Sequence, residues 1–352
     1  MADWTSSMQQ TFEYYIVDPN TWKDSKQLKN VKSCTINRDL EAETLGSATF
    51  DVAESLGECY IRAYLVTIQN GVTEKHPLGT YLCQTPSVNF DGKAKSVSLD
   101  AYTPLLELKE SPPPLGYSRL KGDNIMQAAY QLCREHARAP VYETKCSDTL
   151  HKDFVSNTND TWLTYISDLV NTAKYELSLD ELGRILFSPR QDTASLQPVW
   201  TYDDSDKSIL YHDISIDRDL YGIPNVVEVI YSTNYDNYYA RAVNDNPNSP
   251  ISTVSRGREI IHRVTNPDFS GYPDEGIVRE YANQLLRDLS ALECTVSYSH
   301  GYCPTRIGDC VRLITSKGES IDVKAKVIGQ SIKCEAGCRV SEKAVFTTKL
   351  WG

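Results

Sequence analysis

A faint internal duplication constrains the fold of this chain more strongly than any other feature of its sequence. Ile-Asn-Arg-Asp-Leu at 36–40 recurs as Ile-Asp-Arg-Asp-Leu at 216–220, and Tyr-Ile-Arg-Ala at 60–63 recurs as Tyr-Ala-Arg-Ala at 239–242. The two marks start 24 residues apart in the first copy and 23 apart in the second. Because two matches occur in the same order at nearly equal spacing, they favour a repeated structural unit over a coincidence between similar β sequences.

Each copy also carries the signals of antiparallel strands. A glycine turn, at Gly46 or Gly222, and an alternating apolar strand, at 48–52 or 226–230, lie between the two marks. The dipeptides Asn-Gly at 70–71 and Asp-Gly at 91–92 supply the positive φ angles of tight hairpins. The predicted strands of the first hundred residues span 31–38, 47–53, 59–69, 78–90 and 94–102. This part of the chain is therefore predicted to be an antiparallel β domain.

Helix signals and chain breakers divide the rest of the sequence. Three prolines at 112–114 cannot donate hydrogen bonds to a sheet, so they mark the end of the first domain. Two amphipathic helices are predicted next, one capped by Asp123 and one beginning near 158–160. A hairpin at 175–189 turns at Gly183, and a third helix begins around Asp274. The fold class is therefore α+β, mainly β, with several domains.

Composition and charge exclude several classes of function. The 352 residues carry a formal net charge of -11 without a basic run, which argues against a surface that grips nucleic acid. No apolar stretch is long enough for a transmembrane helix, so no membrane-spanning segment is expected. The ten cysteines are scattered and fit a reduced state. Cys334 and Cys338 lack the spacing of a zinc site, so neither a metal nor another cofactor is expected.

Six charged residues on the duplicated marks are candidates for structural or interface contacts. They are Arg38, Asp39, Arg62, Arg218, Asp219 and Arg241. In one interpretation they cap strand ends or form solvated ion pairs, each worth under about 1 kcal/mol. In the other they are equivalent contact points between neighbouring domains of a ring, where a guanidinium pairs with a carboxylate through two hydrogen bonds.

Several motifs, in their order along the chain, resemble the tail hub proteins of long-tailed bacteriophages, which are related to the hubs of contractile injection machines. The motifs are Pro-Leu-Gly-Thr-Tyr at 77–81, Asp-Ala-Tyr-Thr-Pro-Leu at 100–105, Glu-Leu-Gly-Arg-Ile-Leu-Phe-Ser-Pro at 181–189, Ile-Pro-Asn-Val-Val-Glu-Val at 223–229 and Gly-Asp-Cys-Val at 308–311. They cover almost the whole chain, from about residue 30 to 350. No single motif is diagnostic, and the order carries the resemblance.

The resemblance implies two similar tube-like antiparallel β-barrel domains, at 1–108 and at 209–243 with 294–352. It also implies an α+β domain with two helices at 109–208 and an inserted helix-containing domain at 244–293. Three such subunits would place six similar domains around a channel, so that a threefold tip meets a sixfold tail tube. The implied function is therefore that of a structural, non-enzymatic virion protein, a homotrimeric baseplate hub with a channel for DNA.

The same resemblance implies the partners and the location of the protein. One face would contact the tail tube or distal tail protein, and the other a tail spike, fibre or receptor-binding protein. The channel would hold the tape-measure protein and later pass DNA in transit. The expected location is the virion tail tip, assembled in the cytoplasm of the bacterial host.

A tail-associated cell-wall hydrolase or peptidase is one alternative. The sequence lacks the Gly-x-Ser-x-Gly elbow, the His-Glu-x-x-His pair and the phosphate-binding loop of common enzyme classes. His151 with Asp153 and His300 with Cys303 are the pairs nearest to a catalytic arrangement. Ordinary surface or turn positions are favoured for both.

A carbohydrate-binding or receptor-binding module is a further alternative. It would use the closely spaced Tyr231, Tyr235, Tyr238 and Tyr239, because aromatic rings stack on sugars. Tyrosine is also common in strands and at protein interfaces, which makes this alternative weaker than the hub.

Overall fold

A computed structural model of the chain describes residues 2–53, 56–90, 95–191, 195–211, 213–233, 237–269, 273–316 and 320–350. The Asp-Gly pair predicted to form a hairpin at 91–92 lies outside these residues. Strands predominate and a few helices accompany them, which confirms the α+β, mainly β class. The chain divides into two compact units. The first unit comprises residues 1–214 and 298–343, and the second comprises 215–297 and 344–352.

The first unit begins with seven strands and a short helix. They are β1 (Gln9–Val17), β2 (Asp24–Leu28), β3 (Val31–Asp39), β4 (Gly46–Val52), β5 (Cys59–Gln69), β6 (Val72–Phe90), β7 (Lys95–Tyr102) and α1 (Leu106–Glu110). Asn70 and Gly71 join β5 to β6 with φ angles of 51° and 78°, which confirms the tight hairpin predicted there.

The middle of the first unit holds the two predicted helices and a hairpin. The elements are β8 (Ser118–Arg119), α2 (Ile125–His136), β9 (Phe154–Val155), α3 (Trp162–Asn171), β10 (Tyr175–Leu179), β11 (Ile185–Pro189) and β12 (Trp200–Tyr202). The N-cap of α2 is Asn124, whose side chain accepts from the backbone of Gln127, so the predicted cap at Asp123 was wrong by one residue. Helices α2 and α3 pack through Leu132, Ile166 and their neighbours into one apolar cluster.

Four strands near the end of the chain also contribute to the first unit. They are β17 (Ala291–Gly301), β18 (Cys310–Thr315), β19 (Ile321–Lys333) and β20 (Arg339–Lys349). Strands β17 and β20 each have one end in each unit. Within the first unit the strand order is β19-β3-β4-β7-β6-β5-β1-β2, and every pair in this series is antiparallel. Strand β18 pairs with β19, and β12 runs parallel to β18.

The second unit is built on a small sheet and a helix. Its elements are β13 (Ser215–Arg218), β14 (Val226–Ser232), β15 (Asn237–Val243), α4 (Thr253–Arg256), β16 (Ile261–Thr265) and α5 (Glu275–Leu289). Helix α5 begins after Asp274, whose carboxylate accepts from the backbone of Ile277, as the sequence predicts. Val278, Ala282 and Leu286 of this helix pack on the face of the sheet that carries Val227 and Val229.

The predicted boundaries divide elements that share a core. Residues 226–243 were predicted to belong to a β domain and 244–293 to an insertion, yet β14, β15 and α5 form one apolar cluster. In the same way, Tyr302, Ile332 and Val340 pack into the apolar cluster of the first strands. Strand partners and shared cores depend on contacts between distant segments, which the order of signals along a chain does not specify. The division into four domains therefore stays a prediction, with these two differences.

The duplicated marks lie on strands with different partners. The first mark falls on β3, between β4 and β19, whereas its match falls on β13, which pairs with β17. Strand β4 pairs with β3 and β7, whereas its counterpart β14 pairs with β15 and, in parallel, with β16. The similarity between the two copies is therefore local, and strand pairing does not follow it.

Across the residues that the structure describes, no helix is long and apolar enough to cross a membrane.

Candidate functional site: a clamped turn and a buried polar network

The turn between β10 and β11 is contacted by two of the arginines that the sequence analysis names as candidate contact residues. It comprises residues 180–184, with Gly183 at a φ of 74°, and we call it the clamped turn. The carbonyl of Leu182 accepts a hydrogen bond from Trp22 Nε1 at 2.7 Å and one from Arg62 Nη2 at 3.0 Å. A Cβ on Gly183 would lie 2.7 Å from Cβ of Thr80, so the backbone of the turn approaches β6 as only glycine allows.

Arg62 is almost completely buried, with 4% of its surface exposed. Its Nε donates to Oγ1 of Thr80 at 2.8 Å, and its Nη1 donates to Oδ1 of Asp24 at 2.8 Å. Together with the bond to Leu182, these contacts hold β2, β6 and the clamped turn around one guanidinium. A buried arginine with a carboxylate partner and several carbonyl or hydroxyl acceptors stabilises the fold only while all of them are present.

Arg38 holds the other side of the clamped turn. Its Nη2 donates to the carbonyl of Leu78 at 2.7 Å, and its Nη1 donates to Oε1 of Gln330 at 2.9 Å. The carboxylate of Glu181 lies 4.0 Å from Arg38 and 2.6 Å from Nε of Arg306. Both arginines of the first duplicated marks thus serve contacts inside the first unit.

Gln330 continues from Arg38 into a buried polar network. Its Nε2 donates to the carboxylate of Glu342, which also accepts from the hydroxyls of Tyr298 and Thr305 at 2.6 and 2.7 Å. Nε2 of His300 lies 3.3 Å from Glu342 and 3.1 Å from the hydroxyl of Tyr202. The members of this network are at most 4% exposed: Tyr202, Tyr298, His300, Cys303, Thr305, Gln330 and Glu342.

The network fixes a charged pair in the interior. Burial by itself lowers the pKa of His300, but hydrogen bonds with Cys303 and Glu342 outweigh burial and raise the pKa to about 10. Burial by itself raises the pKa of Glu342. His300 and the surrounding hydrogen-bond donors outweigh burial and hold the pKa of this carboxyl below its usual value. The network therefore contains an imidazolium and a carboxylate that stabilise each other at neutral pH.

The network also brings together a cysteine, a histidine and a carboxylate. Such a set activates a thiol when a substrate can reach it. His300 is 0% exposed, Cys303 1% and Glu342 2%, so a substrate cannot reach this thiol in the folded protein. The arrangement fits a structural role, in which every buried polar group has a partner.

Neither a protein-family model nor a curated protein matches the sequence. Solved structures do match over nearly the whole chain. A tail protein from Neisseria meningitidis MC58 matches with a TM-score of 0.61 at 13% identity, over 97% of this chain and 98% of its own. The 43 kDa tail protein of prophage MuSo2 from Shewanella oneidensis matches with a TM-score of 0.59 at 11% identity, over 95% and 98%.

The chain has the tail-protein fold. The predicted resemblance to phage tail proteins is thereby confirmed at the level of the fold. A chain of the PdpA–VgrG complex from Francisella also matches, with a TM-score of 0.56 at 10% identity, and the match covers 96% of this chain but 58% of that one. At such identities the likeness concerns the fold.

The other four candidate contact residues of this tail-protein fold lie at the surface or on turns. Asp39 is half-buried and accepts from the backbone of Glu41 at 2.9 Å. Arg218 and Asp219 are exposed at the end of β13, where Asp219 accepts from the backbone of Tyr221 at 2.8 Å. Arg241 is exposed on β15 and pairs with Glu259. An interface role for these residues stays a prediction.

The tyrosines proposed to stack on sugars do not share one face. Tyr231 and Tyr238 pack against the apolar cluster on the α5 side of the second unit's sheet, where Tyr231 also contacts the ring of Phe269. Tyr239 is 55% exposed and donates its hydroxyl to Glu228 at 3.0 Å. Because side chains alternate between the faces of a sheet, consecutive tyrosines cannot form one platform. Tyr235 lies outside the described residues.

Sequence reasoning missed an open groove between α1 and the end of α2. It has a volume of about 540 Å³, and Glu58, Glu107 and Arg138 lie among its lining residues. Arg138 donates its backbone N–H to Glu107 at 2.7 Å and lies 3.3 Å from Glu58. Glu58 and Glu107 are both ion-paired with Arg138.

The other residues that suggested catalysis do not assemble a site either. His151 is exposed, and Asp153 accepts from the backbone of Lys121 at 2.8 Å. The structure shows no group of three or more metal-ligating side chains among the residues it describes.

Proposed function

We propose that this protein is a structural, non-enzymatic subunit of a bacteriophage tail and that it forms the baseplate hub as a ring of three copies. The observation that carries the proposal is the match to two tail proteins over 95% or more of both chains. A likeness that extends from end to end favours a shared architectural task over a shared module.

The proposed task is symmetry adaptation. Two β regions in each of three subunits supply six positions, which suits a sixfold tail tube on one side and a threefold tip on the other. The proposed partners are the tail tube or distal tail protein, the tape-measure protein, and a spike, fibre or receptor-binding protein. The proposed location is the virion tail tip, after assembly in the host cytoplasm.

The net charge of -11 supports a conduit better than a DNA-binding surface. Acidic walls repel the phosphate backbone, so DNA would pass without being held. The clamped turn supports the same proposal, because a ring that transmits force needs subunits whose segments are fixed by buried contacts. Arg62 fixes three such segments.

The test is the solution mass by light scattering, followed by negative-stain imaging of the same peak. We expect a particle near three times 39.6 kDa with a central hole and six lobes. If the isolated chain is a monomer, addition of the tail tube protein should drive ring formation by mass action. A chain that stays monomeric with every tail partner would overturn the hub proposal.

The hydrolase alternative needs its own measurement. Purified protein is incubated with peptidoglycan, and released fragments are quantified for the wild type and for His300→Gln. We expect no release from either protein, because His300 and Cys303 are buried. Fragment release that disappears in the variant would instead establish an enzyme.

A further inference from the structure

Two pairs of cysteines lie opposite each other in the first unit, one on neighbouring strands and one where a strand ends. Cys59 of β5 is the register partner of Cys83 of β6. Cys334 follows β19 directly and donates its backbone N–H to the carbonyl of Cys34 on β3 at 3.0 Å. The four thiols are free. Their pairing was invisible in the sequence, where the partners are separated by 24 and 300 positions.

The strand geometry places each pair within reach of a disulfide. Residues directly opposite in antiparallel strands have Cα atoms about 4.5 or 5.5 Å apart. Disulfides span Cα separations of about 4.4 to 6.8 Å. A bond between Cys59 and Cys83 therefore needs side-chain rotation and little movement of the strands.

Each pair combines an accessible thiol with a buried one. Cys59 and Cys334 are partly exposed, whereas Cys83 is 2% and Cys34 3% exposed. An external oxidant can reach the first member of each pair, and the second is held against it. This is the arrangement of an attacking thiol and a resolving thiol.

The two thiols of the first pair also interact directly. A hydrogen bond from Cys83 lowers the pKa of the Cys59 thiol, and the same contact together with burial raises the pKa of Cys83. Cys59 is thus the member with more thiolate character, and the thiolate is the nucleophile in disulfide exchange.

We propose that Cys59 with Cys83, and Cys34 with Cys334, are redox sites that convert to two cross-strand disulfides when the folded protein meets a small-molecule disulfide. In each pair the exposed thiolate attacks one sulfur of the oxidant and expels the other as a thiolate. The buried thiol then loses its proton to solvent, attacks the mixed disulfide and expels the second thiolate. Two protein thiols are oxidised, and one external disulfide is reduced to two thiols.

The two bonds would fix different parts of the first unit. The bond between Cys59 and Cys83 would close the β5–β6 hairpin at the end opposite Asn70 and Gly71. The bond between Cys34 and Cys334 would join β3 to the chain that follows β19. This chemistry depends on the fold of the first unit and not on the proposed function. A tail protein that leaves a reducing cytoplasm for an oxidising medium would meet the required oxidant.

The experiment exposes the folded, reduced protein to oxidised glutathione at pH 8, blocks remaining thiols with iodoacetamide, and maps tryptic peptides by mass spectrometry. Trypsin cleaves after Arg62 and Lys75, which separates Cys59 from Cys83, and after Arg38 and Lys333, which separates Cys34 from Cys334. We expect two linked peptide pairs, each about 2 Da lighter than the sum of its reduced peptides. Fragmentation spectra distinguish Cys334 from Cys338, which share a tryptic peptide.

Variants make the assignment specific. In Cys83→Ala, Cys59 should keep glutathione as a mixed disulfide, because its resolving thiol is gone. Cys133→Ala is the matched control, since Cys133 is fully buried in α2 and should leave both linkages unchanged. Reduced thiols at all four positions in the wild type would overturn the proposal. So would glutathione retained on wild-type Cys59, or a bond from it to any other cysteine.

Discussion

Arg62 and Arg241 occupy matching positions in the duplicated marks, yet the two units use them differently. In the first unit, Arg62 is 4% exposed and bonds to three separate segments. In the second unit, the side chain of Arg241 is 38% exposed and pairs with Glu259 at the surface. The repeated motif therefore places an arginine on a strand in both units, but the surroundings of the two arginines differ. The environment depends on which other segments fold against the strand.

The largest expected difference between the units is the loss of stability when each of these two arginines is replaced. Arg62→Ala should lower the free energy of unfolding by about 3 kcal/mol or more, because Asp24 and the carbonyl of Leu182 lose a buried donor. Arg241→Ala, the matched control, should cost under about 1 kcal/mol, as exposed ion pairs do. Urea denaturation of both variants measures the difference. Equal losses of unfolding free energy in the two variants would show that the two arginines have similar environments.

A smaller difference is expected for the glycines that follow the first marks. A Cβ on Gly46 would lie 2.3 Å from the backbone oxygen of Asn37, whereas a Cβ on Gly222 meets nothing within 4 Å. Both residues have positive φ, at 135° and 73°, so both alanine variants carry backbone strain. Gly46→Ala should therefore cost about 2 to 4 kcal/mol and Gly222→Ala about 1 kcal/mol. A cost for Gly222→Ala that equals that of Gly46→Ala in thermal unfolding would contradict the steric part of this argument.

The buried pair of His300 and Glu342 in the first unit predicts a pH dependence of stability. The pKa of His300 is raised from 6.5 to about 10, so folding favours its protonated form. The stabilisation is complete below pH 6.5 and is lost as the pH rises from 6.5 through 10. Between pH 7 and 8 the free energy of unfolding should fall by about 1 kcal/mol.

Two variants isolate this contribution. His300→Gln should flatten the fall in stability between pH 7 and 8, while His262→Gln should retain it. Chemical denaturation at several pH values provides the measurement. If the slope persists in His300→Gln, the buried histidine is not its source.

The smallest effect on folding is expected at Arg218, the counterpart of Arg38. Because Arg218 is exposed, Arg218→Glu should change the free energy of unfolding by less than about 1 kcal/mol. Its effect on the mass of the assembly is the informative quantity. If the proposed trimer forms with the wild type and dissociates in the variant while the subunit stays folded, Arg218 lies in an interface. An unchanged trimer would leave it as a strand-end residue.

Local signals in the sequence predicted local structure well. Asn70 and Gly71 form the predicted hairpin, and Asp274 caps the predicted helix. Such signals act over a few residues, through φ preferences and the first turn of a helix. The α+β, mainly β class followed from many signals of this kind.

The contacts of the candidate site could not be predicted in the same way. The position of the Arg38 side chain is fixed by contacts with Leu78, Glu181 and Gln330, which lie far away along the chain. Nothing in the residues around Arg38 indicates these partners. The motif at 181–189 contributed to the resemblance, but its role as the segment that Arg38 and Arg62 hold required the folded structure.

The pairing of β3 with β19 also sets the order in which the protein can be completed during synthesis. Strand β3 leaves the ribosome early, whereas Ile332 and Lys333, which pair with Ile36 and Thr35, are made almost 300 residues later. Contacts this distant in sequence form slowly because a long loop must close first. One edge of the early sheet therefore stays open to other nascent chains for most of translation. Yield of the folded protein should depend on how well the chaperones of the expressing cell keep that edge covered until the final strands emerge.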